Sequence, residues 1–420
     1  MKHDGFLEVN SKQIIYNLLN LKQLVFEVTD SCNLNCKYCG YSDLYVGYDE
    51  RKNNYLNVAV SKTVIDYLVD IWRENLLEDM VKPLTIGFYG GEPLLNMKFI
   101  KDTVSYVETL KDTRKIFRYS MTTNAVLLDK YWDYLVEKDF HLLISLDGDE
   151  FSHSYRVDHA GYNSFYKVYD NVCKLQSLFP EYFEKNVAFN TVLHDRNDVD
   201  SVHDFMVSNF DKVSSFSSLN TSGIKTDKRG VFEKMYKNVV DSMGKSENLD
   251  LLEKKMFIKS PMIYRLSSFL FQYTGNVYYD YNSLFFSKDD FYQYPTGTCT
   301  PFLKKMYVTV NGKILQCEKI DHDFYLGIVK DGSVLIDFDH VAERHNYFVH
   351  KFIDDCSSCA IRGNCIQCVY QNDDIRDENV SCKFYRDVQK NEHMCKEYLF
   401  YLKANPDLYQ RILTEVIMEN

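Results

Sequence analysis

The chain has 420 residues, 45% of them hydrophobic, and a formal net charge of −11 at pH 7. That length suits two or three domains, and the acidity excludes the basic footprint that nucleic-acid phosphates require. No run of 18 apolar residues marks a membrane span, and twelve cysteines without a secretion signal read as metal ligands in a reducing cytosol, not as disulfides.

Residues 1–22 form an N-terminal extension with an amphipathic stretch. From 23 to 225, short β-branched or aromatic runs alternate with helical periodicity. The runs predict strands at 24–29, 84–89, 117–122, 142–146, 187–193 and 213–219, and helices near 58–75, 97–110, 128–138, 164–178 and 198–209. Six β/α units predict an α/β fold with a parallel sheet, closing as a partial (β/α)6 TIM-like barrel with chemistry at the strands' C-terminal ends.

Directly after the first strand come Cys32, Cys36 and Cys39, spaced C-x3-C-x2-C with Tyr38 before the last. Three thiolates on one short loop can hold three irons of a 4Fe–4S cube and leave the fourth open. A closed zinc site takes four ligands, and no fourth Cys or His lies nearby in the sequence. A zinc knuckle or redox cysteines are the alternative. Gly90-Gly91-Glu92-Pro93 follows the second strand; its glycines let the backbone approach a ligand, and Glu92 accepts from a cation. The third strand ends in Thr122-Thr123-Asn124 and the fourth in Ser145-Leu146-Asp147-Gly148. Cys173, in a helical stretch, reads as an ordinary buried residue.

Residues 226–295 form a mostly helical bridge. Its aromatics (Tyr273, Tyr278, Tyr279, Tyr281, Phe285, Phe286) suit either core packing or a peptide-binding surface. Residues 296–385 hold Cys299, an expected hairpin of 306–310 and 313–316 around Asn311-Gly312, then Cys317, Cys356, Cys359, Cys365, Cys368 and Cys382. A helical tail over 386–420 carries Cys395.

The N-terminal loop resembles that of the radical S-adenosylmethionine (SAM) enzymes. The resemblance implies that Cys32, Cys36 and Cys39 hold a 4Fe–4S cluster whose open iron binds SAM, and that the reduced cluster cleaves SAM to a radical that takes a hydrogen atom from the substrate. It implies SAM contacts from Tyr38, from Gly90, Gly91 and Glu92 at the amino group, and from Thr123, Asn124, Ser145 and Asp147 at ribose and methionine. Arg156 would pair with the SAM carboxylate, and Asn190 and Leu193 would flank the adenine; a surface arginine and core or strand-capping residues are the alternatives. Ala125 stands where relatives carry glycine.

The C-terminal cysteines resemble the SPASM domain, a radical SAM extension with two auxiliary 4Fe–4S clusters, although two residues separate Cys365 from Cys368 where the pattern has three. The resemblance implies an outer cluster on Cys356, Cys359, Cys365 and Cys382, and an inner one on Cys299, Cys317 and Cys368, with an open iron or Cys395 completing it; an inert thiol in the helical tail is the alternative for Cys395. A pair of zinc sites is the alternative for 356–382. Glu318 stands where sulfatase-maturing relatives have an aspartate that serves as base; a solvated or supporting glutamate is the alternative.

The family mostly modifies peptides and proteins by net two-electron oxidation. The expected function is therefore maturation of a ribosomally made precursor peptide, forming a thioether or another crosslink. Formylglycine formation on sulfatases and a non-catalytic zinc scaffold are the alternatives. The implied cofactors are SAM and three 4Fe–4S clusters, served by an external electron donor such as flavodoxin or ferredoxin. Only 23 residues precede the first strand, so a separate leader-binding protein or another surface supplies leader recognition.

Overall fold

A computed structural model describes residues 2–3, 6–74, 82–111, 113–246, 249–274, 294–362 and 365–416. The chain divides into two compact units: Ser11–Met243 with Pro301–Val341, and Met1–Asn10 with Gly244–Thr300 and Ala342–Asn420.

The first unit is built on one ten-stranded sheet. Its strands are β1 (Gln23–Thr29), β2 (Lys82–Gly90), β3 (Lys115–Thr123), β4 (His141–Ser145), β5 (Val187–Leu193), β6 (Ser215–Ser218), β7 (Lys305–Val308), β8 (Lys313–Leu315), β9 (Gly327–Lys330) and β10 (Ser333–Leu335). Strands β1 to β6 pair in chain order and all parallel, as the alternating pattern predicts. Helices cross between them: α1 (Ser11–Leu19) precedes β1, then come α2 (Val58–Glu74), α3 (Met97–Thr109), α4 (Trp132–Glu137), α5 (Phe165–Leu178), α6 (Pro180–Asn186) and α7 (Val199–Phe210).

Burial follows the sequence periods. β1 lies inside the sheet and is buried from Leu24 to Thr29, as expected of a parallel strand covered on both faces. In β5, Val187, Phe189, Thr191 and Leu193 are buried while the residues between them are half-buried. In α2, Val64, Ile65, Leu68, Val69 and Trp72 share one face, and the Trp72 indole donates to the Leu18 carbonyl at 3.1 Å.

The sequence reading leaves α6 unassigned; Pro180 starts it, where a missing N–H costs nothing. The Asn311-Gly312 hairpin forms as β7 and β8, with Gly312 at φ +78. It joins the barrel sheet, because β7 pairs parallel with β1 from Gln23↔Lys305 to Phe26↔Val308. β9 and β10, four and three residues long, extend this antiparallel edge and carry too little alternation to be read from sequence.

In the second unit, α8 (Pro261–Thr274), α10 (Val388–Ala404) and α11 (Pro406–Glu415) gather Ile263, Leu266, Leu270, Leu402, Leu408 and Ile412 into one core. Between α8 and α10 in the chain, α9 (Ile353–Ser358) carries Cys356. Cys395 packs, half-buried, against that apolar core. Of the expected aromatic surface, Tyr273 lies in α8, and the residues from Tyr278 to Phe286 lie outside the described residues. No helix among the described residues is long and apolar enough to cross a membrane.

Candidate functional site

Cys32, Cys36 and Cys39 lie on the loop leaving the C-terminal end of β1. The loop is pinned to residues 155–158: Asn35 N–H donates to the Val157 carbonyl at 2.7 Å, Lys37 N–H to Tyr155 at 3.1 Å, and Leu34 bridges Asp158. His159 Nε2 meets the Cys32 carbonyl at 2.8 Å. Burial pushes the Cys36 thiol up to about 12, with Arg156 opposing, and Cys32 up to about 11, with the Glu92 carboxylate adding to burial. Cys39 and Cys32 both act on Cys36, so the thiols lie close enough to resist joint ionisation. Such thiols become thiolates when a metal supplies the positive charge. The donor set fits a 4Fe–4S cluster: three soft sulfurs with two guanidiniums, Arg51 and Arg156, acting on them.

Gly90 and Gly91 sit under this loop. A Cβ on Gly90, whose φ is +128, would lie 2.4 Å from the Thr29 carbonyl, and one on Gly91 would lie 2.0 Å from that of Ser31. The close approach that requires glycine here is therefore to the chain's own backbone, whereas the sequence suggests a ligand. Gly91 and Glu92 N–H groups donate to Thr29 and Ser31 at 2.8 and 2.9 Å. Glu92 is buried, and its carboxylate accepts from the Thr123 hydroxyl at 2.7 Å, Asn124 N–H at 2.8 Å and Leu94 N–H at 3.1 Å. Burial outweighs these donors and raises its carboxyl to about 7. Asn124 reaches back to the cysteine loop, donating to Asn33 Oδ1 at 2.8 Å. Ala125 adopts φ +61, the left-handed conformation that favours glycine.

Asp147, after β4, is fully buried. Arg156 donates to it twice, at 2.9 and 3.0 Å, Val192 N–H donates at 3.0 Å, and the Tyr38 hydroxyl donates as well. Burial pushes its carboxyl up, but Arg156, helped by His194, outweighs it and holds the carboxyl well below the usual range. The Arg156 guanidinium also lies 5.4 Å from the Tyr38 ring centre, and His194 stacks on Tyr38 at 5.6 Å. Arg156, Asp147 and Tyr38 are thus bound to one another, a network that fixes the backbone between Cys36 and Cys39. Ser145 stands opposite Asn190 in the β4–β5 register, Asn190 Oδ1 accepts from Ser217 at 2.9 Å, and Leu193 is in the core.

Cys317 and Glu318 follow β8. Glu318 pairs with Lys305 on β7 at 2.8 Å, and both side chains are largely buried. Burial pushes Glu318 up, but Lys305 outweighs it and holds the carboxyl below its ordinary value. Cys317 is pushed up to about 12 by burial and by Glu318. Sequence reasoning missed Glu27 and Arg51. The buried Glu27, on β1, accepts from the Tyr41 hydroxyl and from Val310 N–H at 2.9 Å, tying the cysteine loop to the hairpin turn. A charge inside the apolar run 24–28 was the available signal.

In the second unit, Cys356 is buried and raised to about 12, with Cys365, Cys382 and Cys359 adding to the effect of burial. Cys368 is raised to about 11, with Cys299 adding to burial. Asp355 accepts from Cys382 N–H at 3.0 Å, and a Cβ on Gly297 would lie 2.0 Å from the Cys365 carbonyl. No cysteine is in a disulfide. Cys173, on α5, is half-buried. Among the described residues no three His, Cys, Asp or Glu side chains gather as one metal ion requires.

Residues 26–206 match the family described as the Radical SAM superfamily. The chain is 26% identical over 353 residues to the radical SAM cyclopropyl synthase TigE of Paramaledivibacter caminithermalis, covering 82% of this chain and 67% of that protein. It is 26% identical over 166 residues to a cysteine-type anaerobic sulfatase-maturating enzyme of Clostridium novyi, covering 39% of this chain and 42% of the relative. An uncharacterized protein of Methanocaldococcus jannaschii is 36% identical over 132 residues, 31% of this chain and 40% of its own length. The chain thus spans less than half of two of these relatives. The solved structure of native anSMEcpe with bound AdoMet superposes with a TM-score of 0.60 at 19% identity, covering 94% of this chain and all of that one, a likeness of fold.

Proposed function

Starting from a radical SAM domain over residues 26–206, we propose that the chain is a peptide-maturing enzyme that closes an intramolecular bond, a thioether or another crosslink, in a ribosomally made precursor by net two-electron oxidation. When bound at Cys32, Cys36 and Cys39, a 4Fe–4S cluster supplies the electron for SAM cleavage. This chain's residues do the rest: Asp147, Arg156 and Tyr38 hold the loop, and Glu92, Thr123 and Asn124 tie the strand ends beneath it. Cys299, Cys317 and Cys368 would hold an inner auxiliary cluster and Cys356, Cys359, Cys365 and Cys382 an outer one, giving the second electron an acceptor. Glu318, kept ionised by Lys305, is the group proposed to take the substrate's proton.

The observation that carries this reading is Glu318 beside Cys317 on a hairpin of the same sheet that carries the Cys32 loop. The TigE relationship over most of the chain supports ring or crosslink chemistry. Formylglycine formation is the second reading, supported by the sulfatase-maturating relatives. A zinc scaffold is the third, and a colourless, zinc-loaded protein on anaerobic purification would support it.

The test is anaerobic coexpression with candidate short cysteine-containing precursor peptides, thiol alkylation and mass spectrometry. Loss of two hydrogens and one alkylatable thiol supports a thioether. The same mass loss with all thiols alkylated supports a carbon–carbon or carbon–oxygen bond. An unchanged peptide, with formylglycine appearing in a sulfatase peptide, overturns the first reading for the second.

A further inference from the structure

Arg51 has no task in the reaction as proposed. Residues 51–55 return from the cysteine loop to the end of β1 through contacts with Thr29, Asp30 and Ser31. The Asp30 carboxylate accepts from Lys52 N–H at 3.0 Å and Asn54 N–H at 2.7 Å. The Thr29 hydroxyl donates to the Asn54 carbonyl at 2.6 Å, and Thr29 bridges Tyr55. Asn53 turns the chain at φ +56 and accepts from the Ser31 hydroxyl at 3.1 Å.

The turn so held places the Arg51 guanidinium 4.4 Å from the Tyr41 ring centre and aims Nη2 at Cys39 Sγ, 3.8 Å away. Its Nε is buried without a hydrogen-bond partner among the described residues, and so is Asn33 Nδ2 on the same loop. No carboxylate forms an ion pair with Arg51 among the described residues, whereas Arg156 is neutralised by Asp147. One unneutralised guanidinium and two unpartnered buried donors at a three-thiol loop make a place built for added negative charge.

We infer that Arg51 donates to the Cys39 sulfur and makes the cluster held by Cys32, Cys36 and Cys39 easier to reduce. This rests on the cluster assignment proposed above. Reduction adds one negative charge, and a buried cation beside a ligand sulfur stabilises the reduced state more than the oxidised one. The planar guanidinium can hold the sulfur and the Tyr41 ring at once, which a lysine ammonium does less well.

The test is an EPR-monitored redox titration of the anaerobically reconstituted holoenzyme, first without SAM and then with it, in wild type, Arg51→Gln and Arg51→Lys. Iron and sulfide are counted in each, and the relevant signal is the one lost in Cys32→Ala. Arg51→Gln is expected to be roughly tenfold harder to reduce, about 59 mV for a one-electron couple. Arg51→Lys should fall between it and wild type, and it carries the test alone should Arg51→Gln lose iron. An unchanged potential at full iron content in both variants overturns the inference. So does a shift seen only after SAM is added, which would make Arg51 a ligand of SAM instead. A wild-type signal that survives Cys32→Ala overturns the cluster assignment and this inference together, an outcome distinct from the other two.

Discussion

The loop at 32–39 and the cysteines at 356–382 both hold thiols that burial pushes up, yet they differ in what surrounds them. Cys32 feels Arg51 and Cys36 feels Arg156. Around Cys356, Cys365 and Cys382 the leading charged influences are the other thiols and, at Cys382, the Asp355 carboxylate. Guanidiniums oppose burial in the first region, whereas thiols and a carboxylate add to it in the second. Under the proposed cluster assignment, the cations of the first region favour its reduced state.

The sharpest way to break the contrast is to remove a sulfur from each region. Cys32→Ala, Cys36→Ala and Cys39→Ala should each abolish 5′-deoxyadenosine release. Cys356→Ala should keep SAM cleavage but melt lower and lose product. SAM cleavage that survives Cys32→Ala would sink the contrast. Next, Glu318→Gln should lower product formation by about 10²–10⁴-fold with SAM cleavage retained, measured as product per deoxyadenosine. Equal loss of both would argue for a structural role.

Asp147→Asn leaves Arg156 buried without its counter-charge and should cost about 3–5 kcal/mol in chemical denaturation. A loss below about 1 kcal/mol would mean that the network does not hold the loop. Acidity sharpens the point, because two buried carboxylates beneath this loop respond oppositely. Asp147, held low by Arg156, stabilises the fold above its unfolded value of 3.8, and that contribution disappears as pH falls through the still lower folded value. Glu92 binds its proton more tightly folded than unfolded, so stability falls as pH rises from 4.5 to about 7, by about 3 kcal/mol in all. Denaturation of wild type and Glu92→Gln at pH 5 and pH 8 reads this directly, and equal slopes would refute it. The smallest effect is Ala125→Gly, which should gain about 1 kcal/mol by removing a left-handed alanine. A lower melting temperature for that variant would count against the strain.

The six β/α units and the cysteine spacings are legible in the residues alone, because local periodicity specifies helix and strand and ligand spacing specifies chemistry. β5 begins and ends at the expected residues, α3 does so within one, and α2 begins where expected. Three things were decided only by tertiary structure. Gly90 and Gly91 meet the backbone of 29–31; Arg156 is bound to Asp147 and Tyr38; and the Asn311-Gly312 hairpin lies beside β1, where Glu27 ties it to Tyr41. Each joins residues that are not neighbours in the chain. The choice of partner for a buried charge or an exposed strand edge depends on what the fold brings near it, and a local pattern holds no record of that.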